Sequence, residues 1–198
     1  MNSRNMILIV IVVLILLLGG CGCSSYNKMN GLRQQTNESW SNVENQYKRR
    51  ADLIPNLVNT VKGAANFEQE TLEKVIQARA KATQVTIDPS NLTPEKMREF
   101  QAAQGEVTSA LSRLLVVSER YPDLKATQNF QNLQVELSNT ENKIAVERSR
   151  YNEVARGYNT QVTNFPNTIF AGMMGFREKP YFEATAAEQE RPNVDFKK

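Results

Sequence analysis

The chain has 198 residues, with 24 Lys and Arg, 21 Asp and Glu, two Cys and no His. Because it lacks imidazole and carries both thiols within the first 23 positions, the rest of the chain cannot form a Ser-His-Asp site, a Cys-His site or the usual zinc site. A net charge of +3 is too small to hold nucleic acid. Composition therefore predicts a non-enzymatic protein without metal, other cofactor or nucleic acid partner, and indicates no small-molecule substrate.

An apolar run near the amino terminus indicates attachment to a membrane. Its thirteen residues suit the hydrophobic region of a signal peptide better than a bilayer span, which needs about 20 residues. Residues 19–25 are also uncharged, so a helix over 6–25 is just long enough to cross. The predicted anchor residues are Met6, Ile7, Leu8, Ile9, Val10, Ile11, Val12, Val13, Leu14, Ile15, Leu16, Leu17 and Leu18.

The residues after the run allow two forms of attachment. Leu18-Gly19-Gly20-Cys21 resembles a bacterial lipobox, in which small residues precede the Cys whose thiol receives the lipid. This pattern predicts lipidation of Cys21. The alternative is an uncleaved transmembrane anchor in which Cys21 and Cys23 have no such role. Either form places the protein at a bacterial membrane, with its soluble domain facing the periplasm or the outside.

Two long segments have the pattern of amphipathic helices. Proline is scarce after the anchor, and the apolar residues of both segments recur at spacings of three and four. These spacings predict one helix over about 26–65 and another over about 124–165. Pro55 lies inside the first pattern and is expected to kink or break that helix near Leu53.

Two shorter helices are predicted between the long ones. Asn66 is expected to cap the first, which runs to about Gln84. The second begins at Thr93-Pro94, a residue pair typical of a helix start, and runs to about Tyr121.

These elements predict an all-α fold, an elongated antiparallel four-helix bundle of two long and two shorter helices. The chain is thus predicted to have three parts: a signal or anchor segment over 1–25, the helical bundle over 26–165, and an irregular capping segment and tail over 166–198.

An antiparallel pair of long helices brings specific charges together. With residues 26 and 165 level, Arg50 lies beside Glu141 and Glu44 lies near Arg148. The sequence predicts at least one such cross-helix ion pair. The alternative is that all four side chains project into water and pair weakly.

Residues 165–182 are apolar without a helical period. Because the last long helix returns toward the anchored end, this segment either docks on the bilayer or a partner, or folds back and caps the bundle. The side chains concerned are Ile169, Phe170, Met173, Met174 and Phe176.

Several different short motifs are spread along nearly the whole soluble chain. They include Tyr26-Asn27, Asp52-Leu53-Ile54-Pro55-Asn56-Leu57-Val58, Tyr121-Pro122-Asp123-Leu124-Lys125, Asn129-Phe130, Arg150-Tyr151-Asn152, Tyr158-Asn159 and Phe165-Pro166. In this order they resemble the bacterial LemA family. The resemblance implies a membrane-tethered helical domain of the cell envelope without established enzymatic activity. The chain departs from the commonest family pattern by inserting residues 19–25 before the Tyr-Asn pair.

The function expected from these features is the display of a helical surface for an unidentified protein partner. The alternative is a protein that shapes or contacts membrane lipid through residues 165–182.

Overall fold

The computed structural model describes residues 3–63 and 67–183. Within these ranges the regular structure is entirely helical, which confirms the predicted all-α class. The helices are α1 Ser3–Lys62, α2 Gln69–Gln84, α3 Pro94–Ser118, α4 Pro122–Lys125, α5 Gln128–Thr163 and α6 Asn167–Met173, with a 3₁₀ turn at Pro89–Asn91. The predicted Asn66 cap and the tail beyond residue 183 lie outside the described residues.

The two long helices pack against each other in antiparallel order. Ser25 of α1 meets Asn167 just beyond α5, whereas Arg49 of α1 meets Glu136 in the first third of α5. At about 1.5 Å per residue, the 36 residues of α5 extend roughly 54 Å, which matches the part of α1 that follows the anchor. The shorter helices α2 and α3 pack on each other, and α2 also contacts α1.

Three groups of buried side chains follow one another along this long contact. The group beside α2 includes Ile54, Leu57, Val61, Leu72, Leu114 and Phe130. The central group is aromatic and includes Trp40, Tyr47, Phe100, Tyr151 and Phe182. The group beside α6 includes Met29, Tyr158, Val162, Ala171 and Phe176. Fully burying one large apolar side chain contributes about 1.5–3 kcal/mol, so these groups are the main source of stability.

The sequence predicts a kink or a break of the first helix at Pro55; a break is wrong, because α1 continues through this residue to Lys62. Proline has no backbone N–H, so the carbonyl of Ala51 loses its usual donor four residues later. Arg79 of α2 supplies another, since its Nε donates to the Ala51 oxygen over 2.7 Å. The neighbouring helix thus satisfies the group that proline leaves without a partner.

The boundaries of the other helices depend on short signals. Thr93 Oγ1 accepts a hydrogen bond from the backbone N–H of Lys96, as expected of a capping residue before Pro94. The Tyr121-Pro122 turn continues into the single-turn helix α4. The prediction of an irregular segment after residue 165 is wrong for α6, whose seven residues are too few for a period to be read from the sequence.

Candidate functional site

The predicted membrane attachment lies at the start of α1. Ile11, Val12 and Val13 are exposed, while the side chains of residues 6–10 and 14–18 and of Cys21 lie outside the described part. Among the residues that the structure describes, no helix is long and apolar enough to cross a membrane. The helix runs without interruption from the apolar run into the buried core, so one helix joins the first residues to the core.

The structure brings Arg50 and Glu141 together. Arg50 is 1% exposed, and its Nη1 donates to Glu141 Oε1 over 2.6 Å and to Thr108 Oγ1 over 2.8 Å. Its Nη2 donates to the backbone oxygen and to Oε1 of Gln104, over 3.1 and 2.7 Å. This buried guanidinium therefore joins α1, α3 and α5, and its contacts are those of an interhelical clamp.

The structure does not bring Glu44 and Arg148 together, since no ion pair joins them among the described residues. Arg148 instead donates through Nη2 to the backbone oxygen of Glu183 over 2.8 Å. Its guanidinium also lies 5.3 Å from the ring centroid of Phe182. The carboxyl-terminal segment, residues 165–183, thus takes the place beside Arg148 that the sequence assigned to Glu44.

The outer half of residues 165–182 forms an exposed apolar stripe. Phe165, Ile169 and Met173 are 80%, 55% and 82% exposed, and their spacing of four places Ile169 and Met173 on one side of α6. The opposite side packs on α1, where Phe170 lies over Gly22. Ser25 Oγ also donates to Asn167 Oδ1 over 2.7 Å. The stripe therefore lies at the level of α1 that directly follows the apolar run.

The inner half of the segment is buried against the long helices. Phe176 and Phe182 are each 5% exposed, and Phe182 stacks on Trp40 with the two rings 9° from parallel. One part of residues 165–182 thus covers the core, as the capping alternative expected, and the other part presents apolar side chains to the outside.

Two asparagines of α5 hold this inner half, and sequence reasoning missed both. Asn159 accepts from the backbone N–H of Lys179 and donates to its carbonyl, both over 2.8 Å. Asn152 does the same for Phe182, over 2.8 and 2.9 Å. Each amide imitates a neighbouring peptide group, and their spacing of seven, two helical turns, was the available signal.

Tyr151 and Tyr158, the residues directly before these asparagines, are buried. Burial raises the pKa of Tyr151, whose hydroxyl donates to the carbonyl of Pro180 over 3.0 Å. Burial also raises the pKa of Tyr158, against the opposing effect of the nearby Arg33 cation. Both phenols therefore remain neutral hydrogen-bonding groups at neutral pH, rather than bases.

Comparison with known proteins identifies the family. The sequence model of the LemA family matches residues 39–196. The chain is 28% identical to Protein LemA of Metamycoplasma hominis over 171 residues, which cover 85% of this chain and 74% of that protein. It is 25% identical to Magnetosome protein MamQ 2 of Paramagnetospirillum magneticum and 24% identical to Magnetosome protein MamQ of Magnetospirillum gryphiswaldense. Each of these two alignments covers 82% of this chain and 66% of the relative. The chain therefore belongs to the LemA family.

Proposed function

We propose that this protein is a non-enzymatic, membrane-associated member of the family, whose elongated helical bundle presents a docking surface to another protein of the cell envelope. The observation that carries the proposal is the continuity of α1 from Ser3 to Lys62. A continuous helix sets the direction of the packed helices relative to its own first residues. The apolar run over 6–18 and the similarity to the MamQ magnetosome proteins support the membrane association.

The outer side of α5 is the surface best suited to docking. Val135 and Val146 are 60% and 64% exposed, although valine is usually buried. They are eleven positions apart, about three helical turns, so both lie on the same side of the helix. Two apolar side chains in line on a rigid helix form contacts for a second helix or a flat protein surface.

Crosslinking in intact cells tests this proposal. A photoreactive amino acid is placed at Val135, at Val146 and, as the matched control, at the exposed Glu99 of α3. The expected result is capture of the same protein from both valine positions and not from the control. Failure of both valine positions to capture a common protein contradicts the assignment of this face.

A second candidate function, contact with membrane lipid, is favoured by the exposed stripe of α6. The opposite side of α6 contacts Gly22 and Ser25, just beyond the apolar run, through Phe170 and Asn167, so attachment of that run brings the stripe close to the membrane surface. In proteoliposomes of the full chain, a photoactivatable phospholipid should label residues 165–174 and leave the region of Val135 unlabelled. The absence of label in 165–174 excludes this second function and leaves the docking proposal intact.

A further inference from the structure

A cavity of about 340 Å³ lies where the carboxyl-terminal segment meets the start of α3. Residues from α1, the 3₁₀ turn, α5 and the segment itself form its walls. The side chains that matter to its chemistry are Arg33, Ser90, Asn91, Tyr158, Arg177 and Lys179. Three of these six carry a positive charge, which is the first indication of its ligand.

Lys179 is the most deeply placed of the cations, at 6% exposed. Its Nζ donates to the carbonyl of Pro89, which uses one of the three hydrogens that an ammonium can donate. Asn159 holds the backbone of Lys179 on both sides, so this position does not depend on the side chain. A buried cation is costly unless it is paired, and Lys179 forms no ion pair with a carboxylate of the described residues.

Arg33 is the second cation and is also held without a carboxylate partner among the described residues. Its Nη2 donates to Asn30 Oδ1 over 2.7 Å, and its guanidinium lies 5.0 Å from the ring centroid of Phe176. These contacts fix the guanidinium in position, and none of them brings it a carboxylate from residues 3–63 or 67–183. Arg33 is therefore preorganised to bind a group with negative charge.

The charged groups around the cavity differ in their exposure to water. Burial lowers the pKa of Lys179, the like charge of Arg33 lowers it further, and Asp88 opposes both effects. Asp88 is exposed, and its carboxylate already accepts from the backbone N–H of Ser90 and from Asn91 Nδ2. Glu178, the carboxylate in the cavity wall, is also exposed. The two acids are therefore hydrated, whereas the positive charge of Lys179 is largely withheld from water.

We propose that this cavity binds a phosphoryl group, with Lys179 and Arg33 as its principal ligands and Arg177 as an outer cation. A doubly charged phosphoryl group matches several cations better than a singly charged carboxylate does, and its three oxygens can each accept a hydrogen bond. A small phosphorylated compound and the headgroup of a lipid share this chemistry.

Calorimetric titration of the full chain in phosphatidylcholine nanodiscs tests the proposal, with inorganic phosphate as the probe and acetate as the comparison. We expect phosphate to bind more tightly than acetate. Lys179→Met and Arg33→Gln should each weaken phosphate binding by roughly tenfold or more, the loss typical of a charge-assisted hydrogen bond. Lys143→Met, at an exposed position on α5, is the matched control and should bind like the unmodified chain.

Three results overturn the proposal: no phosphate binding at low millimolar concentration, acetate binding as tight as phosphate binding, or both site variants binding like the Lys143 control. Circular dichroism shows whether each variant is folded. If Lys179→Met does not fold, Arg33→Gln, a change at a half-buried position, tests the proposal alone.

Nanodiscs that contain phosphatidic acid distinguish the two sources of the phosphoryl group. If a headgroup occupies the cavity, phosphate binding weakens in these discs, and Arg33→Gln removes the difference between the two lipid compositions. If phosphate binding is the same in both compositions, the ligand is a soluble phosphorylated compound.

Discussion

Two carboxylates on α5 provide a matched test of how the burial of Arg50 affects the contribution of its ion pair to stability. The side chains of Glu136 and Glu141 are 36% and 38% exposed, so water reaches both to the same extent. Their partners differ, because the side chain of Arg49 is 52% exposed and that of Arg50 is 2% exposed. Glu136 thus faces a hydrated cation and Glu141 a desolvated one.

Replacing each glutamate by glutamine removes the charge and preserves size and helix propensity. Glu136→Gln should cost at most about 0.5 kcal/mol, since an exposed pair contributes little. Glu141→Gln leaves the Arg50 guanidinium buried without a counter-ion. Breaking a fully buried pair costs about 3–5 kcal/mol, and the exposure of Glu141 together with the remaining amide acceptor reduces our expectation to about 2 kcal/mol. For a chain of this size that corresponds to a fall of roughly 4–8 °C in Tm.

Thermal and urea unfolding of the full chain in detergent, followed by circular dichroism, measures both variants. The double variant Arg50→Met with Glu141→Gln should be less destabilised than the sum of the single changes, because the second change then leaves no buried charge. Equal stability of the Glu136 and Glu141 variants, within about 0.5 kcal/mol, refutes the reasoning.

Three further outcomes are expected. Arg79→Met should cost about 1–2 kcal/mol in urea unfolding by leaving the Ala51 carbonyl without a donor, and less when Pro55→Ala restores a backbone N–H; an equal cost in both backgrounds contradicts this explanation. Asn159→Ala should increase hydrogen exchange at the Lys179 amide, whereas the exposed change Asn139→Ala should not; equal exchange in both variants shows that Asn159 does not hold the segment. Mass spectrometry of protein purified from its own membrane should show a lipid on Cys21 that Cys21→Ser abolishes and Cys23→Ser retains; an unmodified Cys21 excludes the lipoprotein form of attachment.

The long helices could be predicted because each repeats one signal many times. In α5, buried residues such as Phe130, Leu137, Ile144 and Tyr151 recur every seven positions, so any single exception has little weight. The similar length and opposite direction of the two long helices then suffice to predict that Arg50 lies beside Glu141. The start of α3 was predictable for a different reason, since Thr93 and Pro94 act locally and need no distant partner.

The features that could not be predicted depend on residues far apart in the sequence. Pro55 looks like a helix breaker until Arg79, 24 positions later, is known to reach the Ala51 carbonyl. The asparagines of α5 look like ordinary surface residues of a polar helix until the carboxyl-terminal segment is placed against them. In each case the local preference of the residue is the ordinary one, and a hydrogen bond to a distant part of the chain changes its effect on the structure.

The carboxyl-terminal segment explains why the membrane and phosphoryl proposals can be tested separately. Met173, on the exposed stripe, and Lys179, in the cavity, are six residues apart, so a movement of α6 could be expected to displace both. A movement of α6 need not displace Lys179, however, because Asn159 fixes the Lys179 backbone directly to α5. Substituting the 82%-exposed Met173 removes apolar surface without removing a contact of the cavity wall. A loss of lipid labelling with unchanged phosphate binding is therefore the result that this arrangement requires.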